Sequence, residues 1–550
     1  MKNIFKFSIA AIIAPFVFSS AQAQINLPFE IHGNFQLDAQ YYLEDSVIGA
    51  PVVPEKFLSN GFGNLNMTMG NFRAGVRYES YLNPMLGFDK RYKGSGITYR
   101  YAGYTVGDLD ITIGNFYDQF GSGLIFRSYE ERGLGIDNAM DGIRLKYNPW
   151  AGIYVKGFIG EQRSYFEKGP GIVRGADAEV AFSEAIKYMQ DWETRITLGG
   201  SVVSKYQKSN NPIYIIPENV LAFATRLNAV RGNYRLYAEY AYKYNDPSLV
   251  NATAENPSGI YKEGQALYVN AGYTKKGLGI SLSAKYIDNM SFRSDRNATG
   301  NDLNLSFLPA MTRQQTYRLA TLYPYATQPN GEVGFQGEVF YNIRKETPLG
   351  GKYGTDVALN YSRAGGLDTT KTNNELGYTS SFFMPGDDIY FEEVHLEVQK
   401  KMSKNFKLIV NYIYTLYDKR VIQNLGDQFG KVYSHIGIVE GQLKINKTNS
   451  IRMELQHLYT KQDQQSWAMA LVEYSISPNW FFAVFDEYNY ANDKEDERFH
   501  YPNASLGFTK GANRISLGYG RQRKGLLCVG GVCRNVPASS GFSLAVTSSF

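Results

Sequence analysis

Two cysteines, five histidines and four tryptophans among 550 residues each exclude something. Cys528 and Cys533 are separated only by Val-Gly-Gly-Val, so no disulfide framework exists. In an exported chain such a pair most simply closes a small disulfide loop, since a metal would need further ligands that the neighbourhood lacks. His32, His395, His435, His457 and His500 form no HExxH or comparable spacing, and there is no GxSxG elbow. The sequence therefore predicts no enzyme and no cofactor. Beyond the N-terminal segment no stretch reaches the roughly 18 apolar residues that a membrane helix needs. No Pro-rich or Ser-rich linker divides the chain, and no basic run accompanies its net charge of +5. These absences argue against membrane helices, a string of soluble domains and a nucleic-acid partner.

What is abundant points elsewhere. Aromatics make up 15% of the chain, 43 of them Tyr, and a ring with a terminal hydroxyl suits the interfacial girdles of a membrane barrel. The 54 glycines suit tight turns and crowded strand positions. At the N-terminus Lys2 and Lys6, the apolar run Ile9 to Phe18 and the small-x-small motif Ala21-Gln22-Ala23 predict a signal peptide over 1–23, with the mature chain starting at Gln24. At the other end Phe542, Leu544, Val546 and Phe550 share one parity and Ser543, Thr547 and Ser549 the other, as in a strand with one apolar face. A terminal strand ending in Phe resembles the signal that hands bacterial outer-membrane barrels to their insertion machinery, which would make that machinery a partner through Phe550.

The same design recurs along the chain. Leu236, Ala238 and Tyr240 oppose Arg235 and Glu239, and Leu267, Val269, Ala271 and Tyr273 run into a Lys276-Gly277 turn from which Leu278, Ile280 and Leu282 return. Ile451, Met453 and Leu455, with His457, oppose Arg452, Glu454 and Gln456. Turns alternate short, as at Gly70-Asn71 and Asn148-Pro149, and long, as at 119 to 138, 161 to 172, 290 to 330, 364 to 386 and 523 to 540. That alternation predicts an all-β fold, a single transmembrane antiparallel β-barrel over 24–550 with about 24 strands, 22 or 18 being the alternatives.

The segment 111–147 is the least barrel-like and the most informative. Its connection, 119–138, holds Gly121, Gly123, Gly133 and Gly135, the apolar run Leu124-Ile125-Phe126, and Arg127, Glu130, Glu131, Arg132 and Asp137. An apolar cluster needs a packing surface, so this connection is expected to fold into the lumen as a constriction loop. By parity the surrounding wall presents Arg73, Arg77, Arg144, Lys146, Lys156, Arg195, Arg226 and Arg235, with Glu130, Glu131 and Asp137 expected near the arginines of 72–82 and 139–148. The bland reading makes these ordinary wall residues, with Asp177 and Glu179 as salt-bridge partners.

The stretches GNFQLDAQYYLEDSVIGAP and GNFYDQFGSGLIFRSYEERGLGIDNAMDG resemble a group of Bacteroidetes outer-membrane proteins with no assigned activity. More loosely, the inward loop after an early strand is similar to substrate-selective porins. The resemblance implies the cell outer membrane, with lipid and lipopolysaccharide around the barrel. The expected function is a pore or transporter for small polar or anionic solutes. The alternative is a non-conducting subunit of an outer-membrane secretion or assembly machine, with other complex members as partners; an outer-membrane hydrolase comes third.

Overall fold

The structure, a computed structural model, describes residues 29–209, 211–425 and 429–550. The segment assigned to a signal peptide lies outside them. Twenty-four antiparallel strands form one sheet, each paired with its neighbours in the chain. The first, Glu30–Leu43, pairs with the last, Ser539–Ser549, through Leu37 opposite Val546 and Ala39 opposite Leu544, so the sheet closes on itself. Closure leaves no unsatisfied strand edge, the condition for strands to cross a bilayer.

Strict alternation sets the two faces. Leu65, Ile113, Leu282, Leu455, Leu517 and Phe542 are all exposed on the outer surface, a girth of apolar side chains that suits lipid rather than water. Between Leu455 and its neighbours, Glu454 and Gln456 turn inward and are buried. His457 stays on the outer face, its Nε2 2.8 Å from the Tyr490 hydroxyl.

Three expectations are corrected. The segment 161–172 is no long loop: Ile153–Ser164 and Glu167–Ala181 meet at Tyr165-Phe166. The segment 364–386 is likewise mostly strand, because Thr355–Lys371 and Tyr378–Lys401 run on past the barrel. The predicted turn at Asn148-Pro149 instead lies within the strand Met140–Trp150, which continues to the turn at Ala151-Gly152. The 378–401 extension brings Phe383 against Tyr286, Val333 and Leu367, a cluster that Leu267 also joins, so Leu267 is half-buried beside it. Cysteine substitutions at Ile280, Leu282 and Phe542 should label with a membrane-restricted reagent and resist a water-soluble one. The opposite pattern at Leu282 would overturn the face assignment.

Near the end of the chain Cys528 and Cys533 are disulfide-bonded across a small hairpin, Gly525–Val529 with Val532–Val536. Mass spectrometry of unreduced peptides should find the pair linked.

Candidate functional site

The barrel strands Leu109–Phe116 and Met140–Trp150 pair up to Phe116 opposite Met140. The residues between them, 117–139, are therefore not needed to join the strands, and they fold inward. Phe120, Leu124, Ile125 and Phe126 have no accessible surface. They pack on inward-facing Phe158, Val173, Val203, Ala222 and Ala241 of the strands that follow. At roughly 1.5–3 kcal/mol per buried large apolar side chain, this cluster dominates the docking of the loop. Gly123 takes a left-handed φ of +99°, which lets the run turn back on itself. Phe120 N–H donates to Phe126 O at 3.1 Å. From the wall, Glu239 accepts a 2.7 Å hydrogen bond from Ser122 N–H.

Charges hold the second half of the loop. Glu130-Glu131 pairs with Ile136-Asp137 around a single 3-10 turn, Arg132–Leu134. Arg77 lies 3.0 Å from Glu130 and also contacts Asp137. Arg163 reaches Glu79 at 2.6 Å and Asp137 at 2.5 Å. Arg132 donates to Glu130 and, at 2.7 Å, to Gln36 of the first strand. Glu131 instead caps the turn by accepting from Gly133 N–H at 3.2 Å, which corrects its expected place beside the arginines. Arg144 meets neither Glu130 nor Asp137.

Arg144, Lys146 and Lys156 converge on Asp118, at 3.4, 3.5 and 3.1 Å. Burial opposes the Asp118 charge, but Lys156, Lys146 and the Gln119 N–H outweigh it and hold the carboxyl below its ordinary range. A depressed folded value stabilises the docked loop above the unfolded pKa, and that contribution is lost as pH falls through the folded value. Pepsin should therefore cut within 119–138 below about pH 4 and not above it. In Asp118→Asn the cutting should extend to higher pH; an unchanged digestion profile would refute this role.

Elsewhere on the wall Arg73 pairs with Asp110 at 2.6 Å, and Arg226 with Asp177 and Glu179 at 2.8 and 2.7 Å. Arg195 and Arg235 make no ion pair among the described residues and take no part in holding the loop. Arg127 is stacked between the rings of Tyr129 and Phe307, 4.4 and 3.9 Å away.

Phe307 belongs to the element that the sequence left without a role. The connection 289–330 also folds inward and spans the barrel. Its first part adds Met290, Phe292, Leu305 and Leu308 to the cluster around Phe126. The two connections share backbone bonds, Arg127 N–H to Leu305 O at 2.8 Å and Phe307 N–H to Gly123 O at 2.9 Å. The wall approaches closely here: a Cβ on Gly171 would lie 2.0 Å from Ser294 O. Its second part packs Leu319, Tyr323 and Tyr325 on Phe391, Ile413, Ile436, Leu458 and Trp467 of the far wall. Arg313 pairs with Glu397 at 2.8 Å, Arg318 contacts Glu487, and Gln456 accepts from Leu319 N–H at 2.8 Å. The disulfide hairpin closes over the top, where Cys533 O accepts from Asn301 at 2.7 Å and Gly531 O from Thr327 N–H at 3.1 Å. The length of 289–330 and its scattered Leu, Phe and Tyr were the signal that could have found it; Glu239 carried none beyond parity, and Asp118 and Arg163 lie outside the segments that read as strand from sequence.

Below these connections, toward the short-turn end, a cavity of about 430 Å³ remains. Its polar lining is Arg73, Arg77, Arg132 and Arg144 with Glu130, and Asn34, Asn64, Asn66 and Asn115, beside aromatic Tyr99, Tyr101 and Tyr117.

A family of unknown function, DUF6029, matches residues 1–550. The chain belongs to this family. No curated protein matches the sequence. Solved structures similar to this DUF6029 chain include the P pilus usher (PapC) translocation pore, with 9% identity over 95% of this chain and 99% of that one at a TM-score of 0.39. The outer membrane protein OpdK from Pseudomonas aeruginosa has 11% identity over 83% and 99%, at 0.36. A BenF-like porin from Pseudomonas fluorescens has 10% over 78% and 98%, at 0.35. The barrel architecture of the DUF6029 chain rests on its strand pairing.

Proposed function

We propose that the chain is an outer-membrane pore or transporter for small polar or anionic solutes, in which the inward connections 117–139 and 289–330 set the width and polarity of the path. The observation that carries this reading is the cavity beneath them, lined by four arginines and four asparagines against one carboxylate, Glu130, although each arginine is also paired with a carboxylate of the loop or the wall. Guanidinium and amide groups suit hydrated anions, and charged rings at a narrow point govern selectivity. The outer surface takes lipid and lipopolysaccharide, and Phe550 offers a handle to the insertion machinery; its backbone pairs with Gly33 at 2.9 and 3.0 Å while its ring stays exposed.

Single-channel recording in planar bilayers tests it. Wild type should conduct with an anion preference in a salt gradient, and deletion of residues 122–134 should raise conductance and weaken that preference. Equal conductance in both would end the constriction reading. The interlocking of three connections in the lumen favours a second reading, a barrel that does not conduct and serves as a subunit of a secretion or assembly machine. Silence from both proteins would put that reading first.

A further inference from the structure

At the long-loop mouth lies a cleft of about 1000 Å³ between the connections 82–93, 289–330 and 523–538. We infer that this cleft is a binding site for a small soluble oxyanion, a molecule presenting carboxylate or phosphate, held by Arg534 and Lys524. It is distinct from the arginine-lined cavity below the inward connections, and it stands whether or not the barrel conducts.

The argument is one of unmatched charge. Among the cations that line the cleft, Arg91 is paired with Asp89 and Asp302 at 2.7 and 2.6 Å. Lys419 is paired with Asp463 at 2.7 Å, and Arg523 with Glu487 at 3.0 Å. Arg534 and Lys524 have no carboxylate among the described residues. Arg534 is also fixed in place: its Nε donates to Gly133 O at 2.7 Å, and its guanidinium lies 4.2 Å over the Phe88 ring. Among the described residues neither of its Nη atoms has a hydrogen-bond partner, and Nη1 is buried. Gly87 makes room for it, since a Cβ there would stand 2.5 Å from Nη1. A half-buried guanidinium with open donors, prepaid in orientation by a carbonyl and a ring, is built for a planar or tetrahedral oxyanion. The volume accommodates an entire small ligand. Lys524 is exposed at the same cleft and adds a second positive charge.

The test is isothermal titration of the full-length protein in detergent with sodium citrate and, separately, with inorganic phosphate, at constant ionic strength. Wild type should give saturable one-site binding with at least one probe; citrate alone would assign a carboxylate ligand and phosphate alone a phosphate ligand. Arg534→Gln should weaken it at least tenfold and Lys524→Gln severalfold, while Lys276→Gln, a charge control in a turn at the opposite end, leaves it unchanged. Lys524 is exposed, so its variant keeps the test valid should Arg534→Gln fail to fold. No saturable binding to wild type by either probe, or equal affinity in wild type and both cleft variants, would overturn the inference.

Discussion

Replacing residues 294–325 by a short glycine-serine turn should raise single-channel conductance several-fold, more than deletion of 122–134 does. Asp288 pairs directly with Gly331, so the strands on either side need only a tight turn between them. Everything between is surplus to the barrel and occupies its interior, from Phe292 against one wall to Tyr325 against the other. Removing it also strips Phe307 and Leu305 from the 117–139 loop, so both obstructions loosen at once. The uncovered wall would then present Glu393, Glu397 and Glu487 to water, together with the apolar Phe391, Ile413, Ile436, Leu458 and Trp467. The variant should remain heat-modifiable on gels, because no strand pairing is touched. An unchanged conductance in a heat-modifiable variant would show that 289–330 does not limit the path.

The second large effect should come from Phe126→Asp. Phe126 is stacked 4.3 Å from Phe158 with no accessible surface. An unpaired carboxylate in such a place costs several kcal/mol, comparable to what the apolar run contributes to docking. The loop should therefore leave its site while the barrel persists. Trypsin added to intact folded protein should then cleave after Arg127 and Arg132, which the wild type protects, and Phe126→Leu should remain protected. Resistance of Phe126→Asp to trypsin would show that the charged contacts of Glu130 and Asp137 suffice to hold the loop alone.

The barrel was legible because it depends on a period of two, and that period survives in the sequence wherever one face meets lipid and the other water. Ile451, Met453 and Leu455 against Arg452, Glu454 and Gln456 needed no other information. The site was legible in part. The run Leu124-Ile125-Phe126 announces a packing surface because no solvated loop has a use for it. Which partners receive it depends on curvature and stagger around the barrel, and these are not encoded locally. Arg144 stands on the polar face by parity and Arg163 falls in a stretch that reads as loop, yet it is Arg163, with Arg77, that reaches Asp137. The folding-in of 289–330 was missed because its apolar residues follow no period; they pack on walls contributed by distant strands, so only the closed barrel gives them a common surface. The outward extension that ends at Lys371 and Tyr378 reads as loop because its polar, glycine-containing stretch resembles one, though its backbone continues the ladder.

The pairing of the first strand with the last has a consequence in time. Every other strand can find its partner in the neighbouring stretch of chain, but Glu30–Leu43 must find Ser539–Ser549 at the far end of the described residues. Such long-range pairing is slow, and until it forms the nascent sheet carries two open edges of unpaired amides and carbonyls. Exposed edges of this kind recruit other chains. The protein is thus most vulnerable to aggregation until this one pairing forms, and Ser539–Ser549 is the clasp that ends that interval. A chain shortened before Gly541 would leave Asn513–Gln522 and Glu30–Leu43 facing each other with nothing between them.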